Sequence, residues 1–151
     1  MYKKILVPLD GSELSESVIS HVINIATGCK VPEVVLLRVR EPLDNRVVAA
    51  LEPETAKELN QAFNYEFANY LKGIAATLKK KKVTAKVEVL AGDPAKEILK
   101  YSKNNNIDLI IMSTHGRSGV SRIVFGSVAN KIIRQTEVPI LLEPPSHSTI
   151  K

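Results

Sequence analysis

Tryptophan is absent from this chain and cysteine occurs once, at Cys29. A single thiol cannot close a disulfide within the chain, and it suits a reducing compartment. Aromatic residues are only 5% of the sequence. None is interleaved with the densest basic run, Lys79-Lys80-Lys81-Lys82, so a stacking platform for nucleic-acid bases is not expected. No apolar run approaches the ~20 residues of a membrane span, and residues 5–7 are too short for a signal-peptide core. The cytoplasm is therefore the expected location, with neither a membrane nor a nucleic-acid partner. There is no G-x-x-x-x-G-K-[ST] loop and no G-x-G-x-x-G, which argues against P-loop and redox dinucleotide chemistry. The acidic cluster and strand-end lysine of a response-regulator receiver are missing too.

What is present is the composition of a soluble globular domain, 44% hydrophobic and 25% charged, with a formal net charge of +5. A chain of 151 residues fits one domain, 1–151, with an ordered core at about 3–143. The lysine run sits at the end of a long helical pattern, where cations complement the helix dipole. The basic excess fits phosphorylated small molecules as partners.

Strand and helix patterns alternate along the chain. Residues 4–9 form a short apolar run closed by Asp10-Gly11-Ser12, a turn cluster. Leu14, Val18, Val22 and Ile25 follow at helical spacing, widened by Ile19 and Ile23, and Gly28 stops the pattern. Residues 34–39 are almost continuously apolar, as in a strand covered on both faces. Residues 40–53 are irregular. An amphipathic helix over about 54–80 carries Leu59, Phe63, Phe67, Tyr70, Leu71, Ile74 and Leu78 on one stripe, read as core. Residues 83–90 alternate as a strand with one wetter face, near a sheet edge. Asp93-Pro94 starts a helix, Asp93 capping it, which ends at Asn104-Asn105-Asn106. Residues 108–112 are a buried strand, Gly126-Ser127 opens the last helix, and residues 138–142 are the last strand. Such alternation means parallel strands joined by right-handed crossovers.

In an open α/β sheet the ligand lies beyond the carboxyl ends of the strands, where strand order reverses. Two strand ends carry unusual residues: Pro8-Leu9-Asp10-Gly11-Ser12, and Met112-Ser113-Thr114-His115-Gly116-Arg117-Ser118-Gly119. The second leads to a helix N-terminus at Gly126-Ser127, where unpaired N–H groups and the helix dipole favour an anion. Ser127 either caps that helix or bonds a phosphate oxygen.

From Lys3 to Glu143 the chain resembles the universal stress protein family. The matching pieces are Lys4-Ile5-Leu6-Val7-Pro8-Leu9-Asp10-Gly11-Ser12, Ser113-Thr114-His115-Gly116-Arg117-Ser118-Gly119, Gly126-Ser127-Val128-Ala129 and Val138-Pro139-Ile140-Leu141-Leu142. The resemblance implies an open five-stranded parallel sheet of order 3-2-1-4-5 with helices on both faces, the adenine nucleotide α-hydrolase-like arrangement. Strands one and four then flank the switch point. It also implies a stress-response protein that binds ATP or a related adenine nucleotide and acts as a sensor or regulatory module, with Mg²⁺ or Mn²⁺ held through the phosphates. Nucleotide-binding members show Gly, two residues, Gly, nine residues, then Gly-Ser or Gly-Thr. Here Gly116, Gly126 and Ser127 match, and Ser113 replaces the first glycine. Serine serves if its backbone angles are ordinary and fails if the position needs a positive φ or has no room.

By the same resemblance Asp10 reaches the ribose or the adenine edge, and Val39 meets adenine through its main chain. Pro8 and Met112 wall the base pocket, and Gly116, Gly126, Ser127 and Val128 hold phosphates through N–H groups. Arg117 and Arg122 add charge or are simply solvated; His115 is a loop hydrogen-bonder or a ligand contact, the former being the expectation. Two alternatives stand beside the binding module: a slow ATP hydrolase, and a member that Ser113 keeps from binding nucleotide. Asp10 is the only acid in the site and has no accompanying general base, so any hydrolysis is expected to be weak. In the implied order the last strand lies at a sheet edge with an apolar run, and the resemblance points to a homodimer there. A dimer through that strand is expected, unless the Pro144-Pro145 tail covers it.

Overall fold

The computed structural model describes residues 1–115 and 125–144. In chain order the elements are β1 (Lys4–Pro8), α1 (Glu13–Glu16), α2 (Ile19–Gly28), β2 (Glu33–Arg40), α3 (Asn45–Ala50), α4 (Pro53–Lys80), β3 (Ala85–Ala91), α5 (Pro94–Asn104), β4 (Leu109–Ser113), α6 (Ser127–Gln135) and β5 (Ile140–Glu143). The strands form one sheet in the order β3-β2-β1-β4-β5, every pair parallel.

Side chains alternate across the strands and divide the core into two layers. Ile5, Val7, Val34, Leu36, Leu109 and Ile111 face Val18, Val22, Leu71 and Leu78 on one side. Leu6, Val35, Leu37, Ile110 and Met112 face Ala95, Ile98, Ala129 and Ile132 on the other. Helices thus cover both faces, and the near-continuous apolar runs of β1, β2 and β4 follow from that double burial. Each such Leu, Ile or Val side chain contributes about 1.5–3 kcal/mol when fully buried. β3 and β5 are the edges, and their side chains are mostly half-buried.

Two local readings change. The pattern over residues 14–28 is two helices, broken at Ser17 and Val18. Hydroxyls in this stretch bond the backbone, Ser15 to Ser12 O at 2.9 Å and Ser17 to Leu14 O at 2.8 Å, which competes with a continuous ladder. α2 ends at Gly28, as read, and the chain reverses after it through Lys30 at φ 51°. Residues 40–53 contain α3, capped by Asp44, whose carboxylate accepts from Arg46 N at 2.7 Å. None of its residues is buried, so it has no apolar stripe to read. Asp93 caps α5 as expected, accepting from Lys96 N at 3.0 Å. At the last strand Pro139 precedes β5, and its carbonyl accepts from Ile110 N at 2.9 Å.

Candidate functional site

The strand register opens a crevice at the switch point. β1 pairs with β2 as far as Pro8, opposite Leu37, but with β4 only through Ile5 and Leu6, opposite Leu109 and Ile110. β4 continues beside β5 to Ser113. Pro8, at the end of β1, has no N–H to offer. Beyond this divergence lies a cleft of about 460 Å³, within the range of small-molecule sites. Its wall includes Pro8, Asp10, Val39, Met112, Ser113, Gly126, Ser127 and Val128. Gly116, Arg117 and Arg122 lie outside the described residues.

One end of the cleft is built from backbone. Gly126 is the N-cap of α6 and no side chain caps the helix, so Ser127 stands at its first position and is not the cap. The first intrahelical bond runs from Asn130 N to Gly126 O at 2.9 Å. The N–H groups of Ser127, Val128 and Ala129 therefore have no helical acceptor and carry the positive end of the dipole. Gly126 N donates instead to Thr114 O at 2.8 Å, tying the helix start to the end of β4. A Cβ on Gly126 would stand 3.1 Å from that same carbonyl oxygen, so a larger residue would have to push the end of β4 back by a few tenths of an ångström.

The loop leaving β4 is held by side chains. Ser113 is buried, its φ is not positive, and its hydroxyl donates to the His115 carbonyl. The backbone condition for serine in the first motif position is thus met. His115 is 6% exposed, with Nδ1 2.9 Å from Thr114 Oγ1. Its Nε2 is buried and finds no partner among the described residues. Among the same residues no group of three or more His, Cys, Asp or Glu is placed to hold a metal.

The other end lies over β1 and β2. Leu37 O accepts from Leu9 N at 2.8 Å, and Arg40 O, on the opposite edge of the strand, accepts from Gly92 N at 2.9 Å. Alternation directs the N–H and C=O of Val39 to the Leu37 side, past the point where β1 has ended. Such a donor–acceptor pair matches the edge of a base. Asp10 follows β1, and its Oδ1 accepts from Ser12 N at 2.9 Å and Ser12 Oγ at 2.5 Å. Ser15 Oγ accepts from Asp10 N at 3.3 Å. The carboxylate is thereby fixed at the mouth of the crevice.

Arg38, Arg40, Phe63 and Phe67 also line the cleft, and the sequence reading did not place them there. Arg40 donates from Nε to Asn64 Oδ1 at 3.1 Å and from Nη1 to Asn60 Oδ1 at 3.0 Å, bracing α4 against β2. α4 is 28 residues long, about 42 Å at 1.5 Å per residue, which exceeds any strand and extends it past the cleft. The Arg38 guanidinium stacks on Phe67 at 3.5 Å and lies 5.1 Å from the Tyr70 ring. Tyr70 donates to Glu16 at 2.6 Å. Burial, and then that bond, push its phenol well above the usual tyrosine range. Arg38 was legible as an oddity, a charge inside an apolar strand run.

The profile of the universal stress protein family matches residues 1–143. Universal stress protein MJ0531 of Methanocaldococcus jannaschii is 34% identical over 143 residues, covering 94% of this chain and 82% of the relative. MJ0577 of the same organism, described as a universal stress protein, has a solved structure. That structure superposes with a TM-score of 0.85 at 33% identity, over 98% of this chain and 99% of the other. A family protein from Arabidopsis thaliana solved with AMP bound superposes at 0.67 and 16% identity, over 96% of this chain and 93% of that one, a likeness of fold alone.

Proposed function

We propose that this chain, which belongs to the universal stress protein family, binds ATP or a related adenine nucleotide and acts as a sensor or regulatory module in the stress response. The observation that carries the reading is the pairing of two backbone features across one cleft. The uncapped start of α6 offers N–H groups to phosphates at one end. The Val39 main chain, directed past the end of β1, offers a donor and an acceptor to the adenine edge at the other. Pro8 and Met112 wall the base, Asp10 meets the ribose, and Ser113 keeps the β4 loop in shape. Gly116 belongs to the phosphate loop by its motif position. An AMP-bound protein of the same fold fits this reading.

A divalent ion, Mg²⁺ or Mn²⁺, would enter on the phosphates, since the residues described bring no ligand cluster of their own. Asp10 is engaged with Ser12 at the cleft mouth, which favours a binding module over a hydrolase with measurable turnover. No helix among the described residues is long and apolar enough to cross a membrane, and we place the protein in the cytoplasm with no nucleic-acid partner. Calorimetric titration with ATP, ADP and AMP tests the core of the reading. Micromolar binding of at least one is expected, and no heat with any of them at millimolar concentration would overturn it.

A homodimer through β5 belongs to the same proposal. Ile140, Leu141 and Leu142 are only half-buried on that edge strand, and pairing two copies would cover them. Light scattering should give a two-chain mass at micromolar concentration, and Leu141→Glu should shift it to one chain. A single-chain mass for the unaltered protein would mean that another segment covers this edge.

A further inference from the structure

We propose that the end of the sheet remote from the cleft is a docking surface for an acidic polypeptide segment that carries one apolar anchor residue. The proposal does not depend on the nucleotide reading. All five strands run parallel, so their amino ends, and the carboxyl ends of the helices that feed them, share this end. Lys3 leads into β1, Lys30 lies between α2 and β2, the Lys79-Lys80-Lys81-Lys82 run closes α4 ahead of β3, and Lys103 stands in the last turn of α5 before β4. Hydrogen bonds draw these segments together. The Asp108 carboxylate accepts from Lys3 N at 2.7 Å, and Thr84 O accepts from Val34 N at 3.0 Å.

Across residues 1–4, 29–33, 79–84 and 103–108, these seven cations and Lys4 stand against two acids, Glu33 and Asp108. That is an excess of six positive charges where the whole chain has +5, so the remaining sequence sums to −1. The basic excess thus lies at the far end from the cleft. Toward the cleft, the turns leaving β1, β2 and β3 carry Asp10, Glu41, Asp44 and Asp93 and no lysine or arginine. Helix dipoles do not cancel the excess, since α2, α4 and α5 each bring only about half a negative charge here. Among the described residues no ion pair takes up any of the seven. The two acids are already engaged, Glu33 by Lys4 Nζ at 3.4 Å and Asp108 by the Lys3 N–H.

Shape selects among anionic partners. A recess of about 570 Å³ opens between the lysines, lined by Tyr2, Lys3, Lys30, Pro32 and Asn106. Tyr2 packs on the core beneath. An apolar side chain seated beside Tyr2 and Pro32 gains burial that a flat lipid surface cannot supply, while Asp and Glu on either side of it meet the lysines. Short turns lead from α2, α4 and α5 into β2, β3 and β4, so none of them projects as an element that could fill a nucleic-acid groove. Opposite charge at the two ends of the sheet steers an acidic chain to this one.

Fluorescence anisotropy of the full chain with a labelled peptide, about eight glutamates around a central leucine, reads this directly at about 0.15 M salt, where only close charges act. Binding at about 100 μM or tighter is expected, and glycine in place of the leucine should weaken it about fivefold. Lys3→Gln with Lys30→Asn, asparagine tolerating the positive φ at that position, should weaken it about tenfold, roughly threefold for each charge. Lys57→Gln with Lys96→Gln removes the same charge elsewhere and should change it less than about twofold. In the unaltered protein the peptide should shift the amides of Tyr2, Lys30 and Asn106 and leave those of Val39 and Ser127 in place. No binding at millimolar peptide, equal losses for the two lysine pairs, an affinity indifferent to the leucine, or shifts at the cleft overturns the proposal. Tighter binding of a single-stranded oligonucleotide of like charge, or of phosphatidylserine vesicles, overturns it as well.

Discussion

The two ends of the cleft are made from different materials. At the α6 end the polar groups on offer are main-chain N–H donors, and the residues around them are small: Gly126, Ser127 and Ser113. At the β2 end they are partly side chains: Arg38 rests on Phe67 with Tyr70 beside it, Asp10 is held by Ser12, and Arg40 ties β2 to Asn60 and Asn64 of α4. A backbone site tolerates change in side-chain chemistry but not in volume. A side-chain site depends on chemistry and on the packing that holds it. Substitutions at the two ends should therefore fail in different ways, and a ligand series of adenosine, AMP and ATP separates them.

The largest effect is expected at the backbone end. Gly126→Val places a branched side chain against Thr114 O, where even a Cβ would be 3.1 Å away. ATP affinity should fall by about a hundredfold or more, roughly 2.8 kcal/mol at 1.4 per decade. Adenosine should lose little, and the far-ultraviolet circular dichroism should be unchanged. Equal losses for adenosine and ATP would erase the distinction between the ends.

Phe67→Ala should do the converse. It removes a half-buried ring and the face on which Arg38 stacks, lowering stability by about 2 kcal/mol in a urea titration. Adenosine, AMP and ATP should all weaken by a similar factor, because the phosphate donors are untouched. A loss confined to ATP would place Phe67's influence at the wrong end.

The two ends also differed in how far they could be read from the residues alone. Pro8, Asp10, Met112, Ser113, Gly126, Ser127 and Val128 stand at strand ends and a helix start, where turn chemistry and the motif spacing mark them, and all border the cleft. Strand order follows from the family resemblance and is the order found. What stayed hidden was tertiary. Phe63 and Phe67 look like ordinary core positions on an amphipathic helix, and only the length of α4 carries them to the cleft wall. Arg38 is a charge within the apolar run of β2, and only the tertiary packing of Phe67 against it accounts for its burial. α3 gave no periodic signal because none of its residues is buried.

Ser113→Gly sharpens the backbone end with a smaller change. The native φ suits serine, so glycine relieves no strain. Nucleotide affinity should tighten a few-fold at most, while stability drops by about 1 kcal/mol through the lost bond to His115 O and the added chain freedom. A gain from undetectable to micromolar binding would mean that Ser113 blocks the native site.

The smallest effect concerns pH at the side-chain end. Burial and the bond to Glu16 raise the Tyr70 phenol above its usual 10.0. The native state therefore keeps a proton that the unfolded chain has lost, so this contribution is complete below pH 10 and declines as pH rises beyond it. Tyr70→Phe should flatten that alkaline decline in urea titrations run across pH 9–12, and leave ATP affinity nearly unchanged. An unchanged alkaline slope would show that Tyr70 ionises as an exposed phenol does.

The central claim is that one nucleotide spans both ends at once, and amide chemical shifts followed during an ATP titration test it most directly. The account predicts saturable shifts at Val39 and Asp10 together with Ser127 and Val128, all with one dissociation constant in the micromolar range. Shifts at only one of these pairs, or confined to the Lys79-Lys80-Lys81-Lys82 run, would contradict it.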